Sequence, residues 1–324
     1  MRAVRIHDLS GPSGLRVDDL PEVEPAPGEV LIDVRAAGVN FPDVLLSHGK
    51  YQFKPPLPFV PAGEAAGVVK AVGKGVTGFA AGDRVAATMI HGAFAERIVA
   101  SEAAVVKLPD AVSFEVGAAT LLTYATTWHA LVDRARLGAG ETLLVLGAAG
   151  GVGIAAVEIG KLLGARVIAA ASSDDKLTFC RAHGADEGIQ YAREDLKERA
   201  KALTRGEGVD VVYDPVGGRY AEPALRSIAW EGRYLVVGFA AGDIPSIPLN
   251  LVLLKGCQIV GVFWGSFVAR EPAKNRANAA RVLDAVAEGK LRPHVDATVP
   301  FANAGEALAR LERREVKGKI VLVP

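Results

Sequence analysis

The stretch LLVLGAAGGVGIAAVEIGKLLGARVIAAASSDDK (143–176) decides the fold. A short apolar run ends at Gly147, a glycine-rich turn follows, and an apolar helical segment starts near Gly153. A second apolar run, ARVIAA (165–170), comes next. Strand, glycine turn, helix and strand is the context of a dinucleotide-binding unit. Glycine lets the backbone turn sharply and approach a pyrophosphate, and the N–H groups opening the helix face the phosphates. The window 148–153 reads AAGGVG, so Ala148 stands where the first glycine of GxGxxG would be. Gly150, Gly151, Val152 and Gly153 are the candidate pyrophosphate residues.

A dinucleotide site that takes NAD places Asp or Glu about 20 residues further on, at the end of the second strand, for the ribose hydroxyls. Here that strand ends at Ala171-Ser172-Ser173. No carboxylate stands there to repel a 2′-phosphate. Lys176 follows Ser172 by four residues, one helical turn on, and can supply charge to such a phosphate. Asp174 and Asp175 oppose this, but acids in a first helical turn also stabilise the helix end. The reading favours NADPH.

Outward from this unit the alternation continues. Strands are expected at 142–147, 210–214, 233–239 and 258–264, and helices at 153–164, 174–184, 194–204 and 222–230. Alternating β and α implies a parallel sheet covered on both faces. Residues 1 to about 120 differ. Short runs at 29–39, 63–73 and 83–88 are broken by Pro27-Gly28 and Gly82-Asp83, a barrel-like or sandwich-like β pattern. A helix is expected over 114–132, another near 275–289, and a last isolated strand at 318–324. That strand does not extend the βα series, so the tail is expected to return to the first domain. The fold class is then α/β, a β-rich domain (1–122 plus 266–324) with an inserted doubly wound domain (123–265).

Composition narrows the partners. The 324 residues balance 37 Lys and Arg against 37 Asp and Glu, so no net field gathers nucleic acid or anionic lipid. The two cysteines, Cys180 and Cys257, exclude a disulfide framework and a cysteine-built zinc site and suit a reducing compartment. The start MRAVRIHDLSG lacks the apolar core of a signal peptide, and a cytoplasmic location is expected. The six histidines form no HxxxH or other ligand pair, GxSxG is missing, and so is GxxxxGK[ST].

The segments AAGVNFPDVLLSHGKY (36–51), PFVPAGEAAGVV (58–69), GAAGGVG (147–153), GADEGIQY (184–191) and DPVGG (214–218), in this order, resemble the medium-chain dehydrogenase/reductase superfamily in its zinc-free quinone oxidoreductase (zeta-crystallin-like) branch. The resemblance covers nearly the whole chain. It implies a GroES-like substrate domain, a Rossmann domain inserted in it, and a homodimer or a larger oligomer. It also implies that Ser172 and Lys176 contact the 2′-phosphate, with Tyr191 packed beside it. Thr126 would stand near the nicotinamide, as would Phe239 and the Phe263-Trp264 pair at the ends of later strands. Core packing is the other reading of these aromatics.

Zinc enzymes of the superfamily hold catalytic metal with Cys and His at positions that here resemble Asn40 and Gly63, so no metal is expected. Without a Lewis acid an isolated carbonyl is hard to polarise. Conjugated acceptors delocalise the incoming charge, and the resemblance implies hydride transfer from NADPH to a quinone. Two alternatives stay open: reduction of activated C=C bonds in enals, enones or enoyl thioesters, and a structural or sensing protein that binds NADPH. Asn40 and Tyr51 are the candidates to hydrogen-bond the acceptor, with Asp43 fixing their loop.

Overall fold

The computed structural model describes residues 1–324. Chain contacts divide it into two units, Met1–Ala125 with Phe267–Gly289 and Pro293–Pro324, and Thr126–Ser266 with Lys290–Arg292. The expected divisions were at 122/123 and 265/266; the contacts place them at 125/126 and 266/267. The short return of 290–292 to the second unit was not expected. It is tied there by the Arg292 N–H, which donates to Glu158 Oε2 at 2.8 Å.

The first unit begins with a two-stranded ribbon, β1 (Arg2–Ile6) and β2 (Leu15–Asp19). Its main sheet is built from β3 (Glu29–Gly38), β4 (Glu64–Val72), β5 (Arg84–Thr88), β6 (Arg97–Ser101) and β7 (Val105–Lys107). β3 is the hub, because it pairs antiparallel with both β4 and β6. Val30, Leu31, Ile32, Ala36 and Ala37 are buried, so β3 is covered on both faces and reads as an apolar run rather than an alternation.

The second unit carries six strands, β8 (Thr142–Leu146), β9 (Arg166–Ala171), β10 (Glu187–Gln190), β11 (Val209–Asp214), β12 (Ile228–Val236) and β13 (Gln258–Gly261). All pairs are parallel, in the spatial order β10-β9-β8-β11-β12-β13. Chain order reverses between β8 and β11, which is the Rossmann arrangement and sets the ligand crevice at the carboxyl ends of those two strands. Leu143, Leu144, Val167, Ile168, Val211 and Val212 are fully buried, as a sheet covered on both faces requires.

The chain then closes the first unit. β14 (Val295–Pro300) pairs with β15 (Lys319–Val323), and β15 pairs antiparallel with β3. The tail thus returns to the first sheet, as its isolated apolar run implies.

Several local expectations need correction. The helix expected over 222–230 ends at Arg226, because Ile228-Ala229-Trp230 opens β12 instead. The strand expected over 258–264 stops at Gly261, and Trp264 begins a helix, Trp264–Arg270. The helix expected over 114–132 is regular only at Phe114–Ala118 and Thr126–Trp128. Wider π-type turns at Leu121–Ala125 and His129–Arg134 interrupt it, a distortion that frequently marks functional sites. The helices Leu249–Lys255 and Ala304–Glu312 were not anticipated.

Candidate functional site

In the second unit, β8 delivers the chain to Gly147, whose φ of +58° lies in the left-handed region. The Gly150 N–H donates back to Gly147 O at 3.0 Å, closing the turn before the helix Gly151–Leu162. No acidic residue sits in the first turn of this helix, so its positive end is uncompensated by side chains. The N–H groups of Gly151, Val152 and Gly153 have no acceptor within the helix. A Cβ on Gly153 would lie 2.2 Å from Gly147 O and 2.8 Å from Ala148 Cα, so only glycine lets helix and turn approach this closely.

Two side chains that sequence reasoning missed support this turn. The Thr127 hydroxyl lies 3.3 Å from Val152 O and 2.9 Å from the hydroxyl of the fully buried Tyr213 on β11. At the end of β11, Asp214 accepts from the Val216 and Gly217 N–H groups at 2.7 and 2.8 Å and from the Tyr234 hydroxyl. Burial raises the Asp214 carboxyl despite these three donors. DPVGG is therefore a loop wound around its own aspartate. Phe239, 37% exposed, lies against Gly217 in this loop and is not a core residue.

At the end of β9 the structure gathers the residues expected to meet a phosphate. Lys176 Nζ stands 3.4 Å from Ser172 Oγ. Ser173 caps the helix Asp174–Ala182 by accepting from the Lys176 N–H at 3.3 Å. Tyr191 follows β10, and its N–H donates to Ala171 O at 3.2 Å, which puts it beside Ser172. Its ring packs on Tyr220, with centroids 4.5 Å apart. The opposing charge of Asp174 is met by an ion pair with Arg193. Phe263 and Trp264 follow β13, separated from β8 by the two strands β11 and β12, and Phe263 is 61% exposed. Thr126 is the first residue of the second unit and is buried.

In the first unit the conspicuous feature is a buried charge cluster. Lys319 on β15 sends its ammonium to Glu64 Oε1 at 2.8 Å, Val39 O at 2.7 Å and Asn40 Oδ1 at 2.5 Å. Lys319 and Glu64 side chains are 5% and 1% exposed. Glu64 Oε2 accepts from the Leu122 N–H at 2.7 Å. Gly38 makes room for Glu64, since a Cβ there would fall 2.5 Å from Oε1.

Asn40, expected to hydrogen-bond an acceptor, donates from Nδ2 to Gly38 O at 3.2 Å and to Glu64 Oε1 at 2.8 Å. An amide has only two such protons. With its oxygen on Lys319, Asn40 holds the loop instead. Asp43 does so too, accepting from the Asn40 and Ala62 N–H groups at 2.8 and 3.0 Å. Burial pushes the Asp43 carboxyl up to about 7, against those two donors. Tyr51 is half-buried against Ile6, Leu46 and Phe59. Burial, and then the Asp43 charge, raise its hydroxyl and keep it a neutral donor.

Two family models match the chain, the alcohol dehydrogenase GroES-like domain at residues 26–110 and the zinc-binding dehydrogenase at residues 151–284. A quinone oxidoreductase-like protein 2 homolog from Nematostella vectensis is 38% identical, covering 99% of this chain and 88% of that protein. A quinone oxidoreductase from Pseudomonas aeruginosa is also 38% identical, covering 100% and 99%. The crystal structure of Escherichia coli quinone oxidoreductase complexed with NADPH superimposes with a TM-score of 0.92 at 29% identity, with 100% of both chains covered. The zinc of the second family description does not suit the donors here. Around Glu64 stand an amide and an ammonium, with neither thiolate nor imidazole, and the ammonium already holds the carboxylate.

Proposed function

The chain belongs to the medium-chain dehydrogenase/reductase superfamily, in its quinone oxidoreductase-like branch, and on that premise we propose that it is an NADPH-dependent reductase of quinones. The observation that carries the cofactor reading is the pairing of Lys176 with Ser172 at the end of β9, where no carboxylate stands. The first-turn N–H groups at 151–153 would hold the pyrophosphate, in a cradle that a single Cβ at Gly153 would fill. Ser172, Lys176 and Tyr191 would hold the adenosine-side phosphate. NADPH, when bound, supplies the hydride. The residues of the chain position and desolvate the acceptor. Asn40 serves through its loop, Tyr51 carries the hydroxyl that the first unit offers to the acceptor, and Thr126 carries the one that the second unit offers to the nicotinamide.

Lys176→Ala is expected to narrow the preference for NADPH over NADH by about tenfold, the size of one charge-assisted hydrogen bond. Fluorescence titration of both nucleotides checks this; a variant with its full preference intact would remove Lys176 from the phosphate site. Oxidation of NADPH with a panel of benzoquinones, alkenals and an acryloyl thioester tests the acceptor. A quinone rate far below the alkenal rate rejects the quinone assignment in favour of C=C reduction. Binding without turnover on any acceptor points to a structural or sensing role.

We further propose a homodimer joined through β13. This strand is the outer member of its sheet, and Trp230, Leu249, Leu253, Leu254, Ile259 and Phe263 around it are 69, 77, 79, 70, 41 and 61% exposed. An unpaired edge flanked by large apolar side chains is a surface that a second copy covers. Leu253→Glu with Leu254→Glu is expected to weaken self-association about tenfold or more, because charge would be buried in the contact. Sedimentation velocity reads this, and a monomeric wild type overturns it. No helix is long and apolar enough to cross a membrane. We assign the protein to a reducing cytoplasm, where the buried Cys180 and Cys257 persist as thiols.

A further inference from the structure

We propose that Phe53 and His91 form an acceptor-selecting shelf in the first unit, favouring flat ring acceptors over open-chain ones; the inference rests on the reductase reading above. The two rings are stacked 21° from parallel with centroids 5.6 Å apart. Phe59 meets the same imidazole edge-on, at 6.0 Å and 77°. Phe59 also belongs to the small cluster against which Tyr51 packs. A continuous set of apolar and aromatic contacts thus runs from Tyr51 to Phe53.

The outer end of this set is uncovered. Phe53 is 41% exposed, and Leu57, four residues on, and Ile90, next to His91 in sequence, are 43% and 68% exposed. Isolated exposed apolar residues are ordinary, but an exposed ring stacked on a second ring presents a π face ready for another. The segment 50–62 holds Lys50 and Lys54 and no carboxylate, so no negative charge in it opposes an electron-rich carbonyl ligand.

The shelf is also rigid. Pro55, Pro56, Pro58 and Pro61 stiffen the segment that carries Phe53. The loop that carries His91 is pinned by Met89 N–H to Gly63 O at 2.9 Å and by Gly92 N–H to Pro61 O at 3.1 Å. His91 Nδ1 lies 3.3 Å from Val60 O, a carbonyl that can only accept, so Nδ1 is the donor in this contact. A preformed apolar surface loses little entropy when a flat ring docks on it. An open-chain enal has no extended π face to place there. The pair therefore separates acceptors by shape before any chemistry occurs.

The test compares 1,4-naphthoquinone with trans-2-hexenal as acceptors for NADPH oxidation by the full chain. Phe53→Ala is expected to lower the naphthoquinone-to-hexenal ratio of kcat/KM about tenfold, chiefly through the naphthoquinone KM. His91→Ala should act likewise, whereas His91→Phe, which restores a ring, should keep at least half of the wild-type ratio. A ratio that stays within twofold of wild type in Phe53→Ala overturns the proposal. So does a His91→Phe ratio as low as that of His91→Ala. Circular dichroism of the variants separates unfolding from altered selection. A wild type inactive on both acceptors defeats the reductase reading itself, and is distinct from an active wild type whose ratio does not move.

Discussion

Replacing Lys319 with Met is expected to destabilise the protein by about 3–5 kcal/mol, the usual result of removing one partner from a buried ion pair. The stem volume is nearly kept, so the loss is electrostatic rather than a cavity. Without the ammonium, the Glu64 carboxylate would remain buried with only the Leu122 N–H and one Asn40 N–H to support it. Asn40 Oδ1 and Val39 O would lose their donor as well. The desolvation cost of an isolated carboxylate is several kcal/mol, well above what two neutral donors return. Urea denaturation followed by circular dichroism measures the effect. The double variant Lys319→Met with Glu64→Gln should recover more than half of the loss, since no charge is then left unpaired. A single variant that loses less than about 1 kcal/mol, or a double variant whose losses simply add, would show that the cluster is not a coupled pair.

Gly153→Ala is expected to raise the NADPH dissociation constant at least about a hundredfold, the scale on which displacements of an ångström act at a preorganised site. The new methyl group would stand 2.2 Å from Gly147 O and 2.8 Å from Ala148 Cα. Both are backbone atoms of the turn itself, so no side chain can swing aside. Either the helix Gly151–Leu162 withdraws from the turn or the turn opens. In both cases the first-turn N–H groups leave the positions that face the phosphates. Overpacking of this kind also costs about 1–3 kcal/mol of stability. Fluorescence titration with NADPH reads the first effect and thermal melting the second. Binding within threefold of wild type would show that the helix end is not the phosphate cradle.

The parallel sheet was legible because its strands are buried on both faces and therefore stand out as apolar runs between helices. Ser172 and Lys176 were legible for a related reason: they lie four residues apart at a strand-to-helix junction, and local geometry alone brings them together. The helix Leu249–Lys255 was not read, since Leu249, Leu253 and Leu254 point to solvent in the single chain and its apolar pattern marks no core. β10 is only four residues long and contains Gly188. The cluster of Asn40, Glu64 and Lys319 was invisible for another reason. Lys319 is separated from Glu64 by 255 positions, and nothing in either neighbourhood signals the other. Asn40 was given an outward task, because one of its amide protons meets Glu64, and its oxygen meets Lys319, only once β4 and β15 lie beside it. The ion pair that balances Asp174 likewise comes from Arg193, on a different element.

The pairing of β15 with β3 also orders events during synthesis. On the ribosome, β3 is made early, and β15, one of its partners, emerges almost three hundred residues later. The second unit's sheet, by contrast, is encoded without interruption from β8 to β13. The inserted unit is therefore able to mature while the surrounding one still waits with an open strand edge and an unmatched Glu64 carboxylate. Segments of such wide separation close slowly. The unit begun before the inserted one is thus finished after it, and its open edge is the part in greatest need of protection from other nascent chains.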